Sequence, residues 1–352
     1  MADPIYDKLG AALNARNMNL PAIKCDAFYA LVEFLFTPEE AAIFSSMPLE
    51  YARVEEIAAK LETDDLKKLT SALEKMGDKG LIHIKESGGR KLYEALPFVP
   101  GIIEFQLMRG IVDDHHKQVA RLILNYYKAV GNPTIAATAP LEAAIAGKKV
   151  SVNRDIKSNT STIIPYHEMK ALIENTDYIA AGTCVCRHMG NLLGKPSYKP
   201  INNCMIFGES ARFGVGRNFT RHLTKEEALR ILDEAEAAGL IHTYTNRPDR
   251  FTNLLCNCCK EHCNAMKAVR MFPAPGMVMN VRYQVQVDQD ACTSCEACIE
   301  RCQMGALKMV DGKLARDEQR CIGCGLCIYV CPADALSLEP NAEGRIPLRN
   351  AN

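Results

Sequence analysis

The sequence predicts a multidomain α+β chain, and three observations carry that prediction. At 352 residues the chain is too long for one small domain, given a prior of about 150 residues per domain. Helical periodicities with capping signals fill its first part, whereas short alternating patterns bounded by Gly and Asp close its C-terminal part. Fifteen of the sixteen cysteines lie beyond residue 183, in two dense groups that divide the remainder.

Residues 1–100 read as helix, helix, helix and then a β wing. Thr37-Pro38-Glu39-Glu40 is a capping box with proline at the first helical position, and Val54–Leu61 is amphipathic. Thr63-Asp64-Asp65 caps a helix running through Met76; Gly80–Lys85 and Arg90–Tyr93 flank Ser87-Gly88-Gly89 as the wing. This pattern resembles a winged helix-turn-helix domain, which raises DNA as a partner. Charge argues against it. The segment holds 12 Lys and Arg against 16 Asp and Glu, a net of −4, whereas specific DNA binding rests on a concentrated basic surface. Lys67 and Lys68 begin the would-be recognition helix, but Asp64 and Asp65 adjoin them. The expected role is therefore a protein-interaction or dimerisation module, a route to a homo-oligomer, with DNA the disfavoured partner. Cys25, alone in an apolar helical pattern, is expected to be a small core residue. Residues 101–150 read as a helical connection, partly amphipathic from Ile102 to Tyr127 and broken at Gly131-Asn132-Pro133.

Residues 151–275 form the cysteine-rich part, expected to be a mainly helical metal domain. Cys184, Cys186, Cys204, Cys256, Cys258, Cys259 and Cys263 cluster as C-x-C and C-x-C-C-x3-C, which no hydrophobic-core argument would generate. They are candidates for a metal site. Arg187, His188, Lys260 and His262 would offset the negative charge of several thiolates. The spacing leaves an iron–sulfur cluster, structural zinc and a thiol redox centre open, with iron–sulfur preferred. Seven thiols exceed the four that one cubane needs. Between these groups Thr224-Lys225-Glu226-Glu227 is a second capping box, and Leu229, Ile231, Leu232 and Ala235 form one apolar stripe before Gly239. Ala211 to Arg221, with Arg212, Arg217 and Arg221 among Phe213 and Phe219, reads as a flexible solvated loop; a docking surface for an acidic partner is the sharper alternative.

In residues 281–340 the pattern C-x2-C-x2-C-x3-C occurs twice, first at Cys292, Cys295, Cys298 and Cys302 and then at Cys321, Cys324, Cys327 and Cys331. Three cysteines at i, i+3 and i+6 let one tight loop wrap a cube face, the ligand pattern of [4Fe–4S] clusters; zinc gains nothing from the third cysteine repeated twice. Tyr283–Asp288 alternates as a strand entering the first loop, Ala306–Val310 leaves it, Asp311-Gly312 is a hairpin turn, and Ala335–Leu338 closes the second copy. The segment resembles the bacterial two-cluster ferredoxin domain, a ferredoxin-like βαβ repeat. That resemblance implies crossed ligation, with Cys331 completing the Cys292, Cys295, Cys298 set and Cys302 completing the Cys321, Cys324, Cys327 set. Gln303 stands where the first copy would carry proline; since proline stiffens the turn without ligating iron, the cluster is expected to survive the change.

The order of Tyr178–Arg187, Cys204–Gly208, Thr224–Leu229, Ala238–His242 and Cys256–Cys259 resembles a family of anaerobe iron–sulfur proteins, in which a C-x-C-R…C…C-N-C-C domain precedes a ferredoxin-like tail. The resemblance implies an electron-transfer protein working beside a larger oxidoreductase. Members commonly carry C-N-C-C-x2-C-C, whereas here His262 precedes Cys263, which makes His262 a candidate replacement ligand or second-sphere donor.

Composition narrows the classes. With 42 basic and 42 acidic residues there is no global pull toward nucleic acid or anionic lipid. No apolar run approaches the roughly 18 residues of a membrane helix, and the segment Met1–Asp7 lacks a basic, then apolar, secretory pattern. Cytoplasmic metal-ligating cysteines are therefore expected rather than disulfides. No Ser/His/Asp set, paired carboxylates or nucleotide loop argues for substrate chemistry, and Gly214-Val215-Gly216 is too weak for a dinucleotide fingerprint. The expected function is passage of low-potential single electrons between these centres and a partner oxidoreductase or electron-carrier protein. The alternatives are an iron–sulfur redox- or oxygen-sensing regulator reading DNA through the winged helix, and an oxidoreductase with a catalytic middle cluster.

Overall fold

The computed structural model describes residues 3–16, 22–131, 161–247, 252–271 and 279–340. It is a mixed α+β chain of helices around several sheets, and the expectation of a mainly helical middle region is corrected: a seven-stranded sheet organises it.

The N-terminal part runs α1 (Pro4–Ala15), α2 (Asp26–Leu35), α3 (Pro38–Ser46), α4 (Val54–Leu61) and α5 (Leu66–Asp78), then a hairpin of β1 (Ile82–Ser87) and β2 (Arg90–Ala95). Five helices stand where three were expected. The Thr37 capping box closes as read, with the Thr37 hydroxyl accepting from the Glu40 N–H and the Glu40 carboxylate accepting from the Thr37 N–H. Asp65 caps α5 by accepting from the Lys68 N–H. The hairpin turns on Gly88 and Gly89, both at positive φ, the conformation that a two-residue turn with the strands' own twist demands. Cys25 sits just before α2 and packs, partly buried, on the core.

A kinked turn at Phe98–Ile102 leads to α6 (Ile103–Leu107) and α7 (Asp114–Val130). These are not a free connection. Ile103, Leu107, Val119, Ile123 and Tyr126 share one continuous core with α1 to α5 and with Ala180, Ile206 and Leu254 of the sheet. Asn132 and Pro133 of the expected break lie outside the described residues.

The middle region comprises β3 (Thr162–Ile163), α8 (Tyr166–Glu174), β4 (Ile179–Gly182), α9 (Val185–Leu192), β5 (Cys204–Phe207), α10 (Gly208–Gly216), β6 (Arg221–Leu223), α11 (Lys225–Ala237), β7 (Ile241–Arg247), β8 (Thr252–Cys258), α12 (Asn264–Met271) and β9 (Asn280–Val281). The sheet order is β6-β4-β5-β8-β7-β3-β9, with antiparallel neighbours except the β3–β9 pair. Alternate residues face opposite layers. Ala180, Cys204, Ile206 and Leu254 join the N-terminal core, while Ile179, Ala181, Met205, Phe207 and Leu255 pack beneath α8 and α11. Because both faces are buried, these strands read as apolar runs without a polar alternation, which hides them among helical signals.

The Ala211–Arg221 stretch is a second correction. It is largely helix α10 rather than a solvated loop, with Ala211 and Phe213 buried in the N-terminal core. Its arginines pair within the chain: Arg212 to Glu209 and Arg221 to Glu227 at exposed positions, and the largely buried Arg217 to Glu74 and Asp78 of α5. Arg217 thus ties the first part of the chain to the sheet. Burial raises the Glu74 carboxyl, but hydrogen bonds from Lys91 and Arg217 outweigh it and hold it below its ordinary value. A lowered carboxylate pKa stabilises above the carboxylate range and is lost as pH falls through the lowered value. Arg217→Met is therefore expected to cost about 2 kcal/mol at pH 7, with the difference shrinking below about pH 4; urea unfolding at both pH values measures it.

The tail places β10 (Tyr283–Val287) antiparallel to β13 (Leu336–Pro340), with α13 (Ala297–Arg301), the hairpin β11 (Leu307–Val310) and β12 (Lys313–Arg316), and α14 (Leu326–Tyr329) between them. Asp311 and Gly312 form the hairpin turn at positive φ, as their sequence requires. Glu168 of α8 accepts from Arg282 and from the Tyr283 hydroxyl, holding the tail against the sheet region. Among the described residues no helix is long and apolar enough to cross a membrane.

Candidate metal centres

Each tail loop wraps its cysteines around a short helix. Cys292, Cys295, Cys298 and Cys331 line one pocket, with Thr293, Ser294, Met309 and Leu314 completing its wall. Cys298 is raised above its ordinary value by burial, then by Cys295, Cys292 and Cys331, which places the four thiols within mutual electrostatic reach. The second group behaves alike. Burial and then Cys302, Cys321 and Cys298 push Cys327 up to about 12, and burial followed by Cys327, Cys302 and Cys321 raises Cys324 well above its usual value. The repeats match in detail: the Ala306 N–H donates to Cys302 Sγ and the Ala335 N–H to Cys331 Sγ, each at 3.3 Å. Amide donors to sulfur are one of the protein's levers on cluster potential.

These donor sets fit thiolate-held clusters. Desolvated thiols crowded together resist ionisation, so a positively charged metal core is what would keep them as thiolates. Cys295 is the exposed member of the eight, and the others are partly or fully buried.

The structure also brings the seven middle cysteines together. Cys184 and Cys186 open α9, Cys204 opens β5, Cys256 and Cys258 end β8, and Cys259 and Cys263 follow it before α12. Cys258 and Cys263 lie 3.4 Å apart, sulfur to sulfur. Cys263 hydrogen-bonds Cys186, and Cys256 bonds both Cys204 and Cys258. Five thiols therefore form one linked set, and all five are raised. Burial, with Cys186 and Cys259 adding to it and Arg187 opposing, pushes Cys184 up to about 11.

Arg187 is 1% exposed beside this set. Burial lowers it, but Cys184, then Cys259 and Cys258, outweigh burial and raise it above its ordinary value. Its guanidinium donates to the Asn257 carbonyl at 2.8 Å and to the Asn203 side chain. Asn257 in turn donates to the Asn203 carbonyl at 2.6 Å and meets His242 Nδ1 at 2.6 Å; His242 Nε2 lies 2.9 Å from Glu236. This buried network fixes the C-N-C-C loop from behind.

The other expected cations fare differently. His188 turns away, its Nε2 bonded to the Ile111 carbonyl, and burial lowers its pKa. Lys260 uses its backbone N–H in a contact with Gln303. His262 Nε2 bonds the Lys195 carbonyl at 3.0 Å, which leaves Nδ1 bare toward Cys259 Sγ, 3.6 Å away. The Cys259, Glu261 and His262 donor atoms lie within 4.8 Å of one another. A second-sphere carbonyl that fixes a histidine tautomer is how metal-binding imidazoles are commonly oriented.

Sequence reasoning passed over Glu104 and Tyr127. The Glu104 carboxyl on α6 accepts from the Gly101 N–H at 2.6 Å and is pushed up to about 7 by burial. Its charge reaches Cys186 and Cys204. Burial, then Glu104 and Cys186, raises Tyr127 of α7. No local pattern marks either residue, because the fold delivers them from helices far away in sequence.

Residues 285–308 and 314–337 each match the sequence model of the 4Fe-4S binding domain. Neither the curated proteins nor the solved structures include a match to this chain. Two tandem copies of this domain, each carrying four cysteines, give the chain two [4Fe–4S] clusters as cofactors and an iron–sulfur electron-transfer role.

Proposed function

We propose that this protein passes single low-potential electrons to or from a partner oxidoreductase or electron-carrier protein, using the two tail clusters and a third iron–sulfur centre held among the seven middle cysteines. The crossed cysteine sets of the tail would hold its clusters. The linked set of Cys186, Cys204, Cys256, Cys258 and Cys263, with Cys184 and Cys259 beside it, would hold the third, and Arg187 would offset its charge. Bound clusters supply one-electron chemistry; the protein supplies positioning and tuning.

One observation carries the reading. Cys258 and Cys263 of the middle region share a hydrophobic contact zone with Cys302, Cys321 and Cys324 of the tail, through Met266, Met304 and Ile322. The two cysteine groups thus pack against one apolar cluster. The exposed Cys295 side lies at the other tail pocket and is the natural place to meet a partner.

The N-terminal part, read as a winged-helix-like module, is best suited to protein contacts. Its Lys68 and Lys79 are paired with Glu39 and Glu40, and the net charge of −4 over residues 1–100 disfavours a phosphate backbone as partner.

Anaerobic purification with iron, sulfide and zinc analysis and EPR of the reduced protein tests the proposal. About twelve irons per chain are expected; about eight would leave the middle site to zinc or free thiols and overturn the third cluster. A middle-centre EPR signal that shifts on adding cyanide would favour an oxidoreductase with a catalytic middle cluster instead.

A further inference from the structure

Gln303 replaces the proline that the ferredoxin pattern carries after its fourth cysteine, and the fold gives it two partners that proline could not have. Its Oε1 accepts from the Lys260 N–H at 2.6 Å, and its Nε2 donates to the Gly239 carbonyl. Lys260 directly follows Cys259 of the middle region, and Gln303 directly follows Cys302 of the tail. One hydrogen bond therefore joins the residues next to a cysteine of each centre.

The other side of Cys302 is tied down as well. Arg301 donates to the Ala237 carbonyl at 3.0 Å and to the Glu236 carbonyl, at the end of α11. Gly239 follows that helix with φ +72°, a left-handed conformation that favours glycine, and a Cβ there would lie 3.0 Å from the Arg301 guanidinium. Met304, next in sequence, is buried with Cys258, Cys263 and Met266.

We propose that Gln303 is a positioning residue that locks the Cys302 loop onto the Cys259 loop, and so sets the separation and electronic coupling of the two centres. The inference rests on the reading that the middle site holds a cluster. A single electron crossing this contact oxidises one thiolate-held centre and reduces the other, and no proton or atom is transferred.

The test uses the full-length protein, reconstituted under anaerobic conditions and reduced with dithionite, with spin–spin coupling between centres read by EPR. Wild type is expected to give a coupled spectrum. Gln303→Pro removes both hydrogen bonds and should keep its iron and sulfide while its coupling falls several-fold. Gln303→Met, of similar length but with neither amide group, removes both hydrogen bonds without proline's backbone constraint and should lose coupling in the same way while fully loaded; it decides the question if the proline variant fails to fold. Unchanged coupling in a fully loaded Gln303→Pro or Gln303→Met would overturn the clamp alone. Wild type with only about eight irons would sink the middle cluster and the clamp together.

Discussion

Gly323→Ala is expected to disrupt the second cysteine loop of the tail. Gly323 sits between Ile322 and Cys324 at φ +60°, and a Cβ built there would lie 1.9 Å from the Tyr283 carbonyl oxygen and 2.4 Å from its carbonyl carbon. The obstacle is backbone, in a strand held by its pairing with β13 from Tyr283 to Pro340, so no side-chain rotation can relieve it. The cost is expected at about 4 kcal/mol or more, the exceptional end for one substitution. Gly305 is the control: its φ of +63° is equally left-handed, but no atom lies within 4 Å of a Cβ there. Gly305→Ala should cost only about 1 kcal/mol. Denaturant unfolding and iron content of both variants measure the contrast. Equal losses would mean that backbone strain alone, and not contact with Tyr283, governs the loop.

If the middle cysteines hold the proposed third cluster, Arg187→Leu should empty that centre while sparing the tail. The change leaves the Asn257 carbonyl and the Asn203 side chain without their guanidinium donor, and removes the buried positive charge beside Cys184, Cys259 and Cys258. Breaking one side of a buried charged network costs about 3–5 kcal/mol. Iron should fall by about four per chain, the content of one cubane, with the EPR of the tail clusters retained. Arg187→Lys should not restore it, because an ammonium lacks the planar fork that reaches two acceptors at once. Full metal content in the leucine variant would show that Arg187 is not needed to balance the thiolates.

Much of the tail was legible in the sequence because its information is local. Cysteines at i, i+3 and i+6 need only one tight loop to converge, and the Asp311-Gly312 turn and the caps at Thr37 and Thr224 are set by neighbours within three residues. The seven middle cysteines marked a candidate metal site by their grouping, but not the sheet that assembles them. Strands such as Cys204–Phe207 are four residues long and buried on both faces, so they show neither length nor alternation. The α10 segment misled for a related reason: its glycines and arginines look like a loop until Phe213 finds the N-terminal core and Arg217 finds Glu74.

By itself, then, the sequence determined the cofactor class and the net negative charge of the first hundred residues, while the crossed cysteine sets remain what the ferredoxin resemblance implies. Only the tertiary structure decided how the centres relate. Gln303 meets partners 43 and 64 residues away, Arg187 meets Asn257 across 70, and Glu104 and Tyr127 reach the cysteines from helices on another layer. The physical reason is range: spacing and turn chemistry encode geometry within a few residues, whereas a contact across two layers depends on how every intervening element packs.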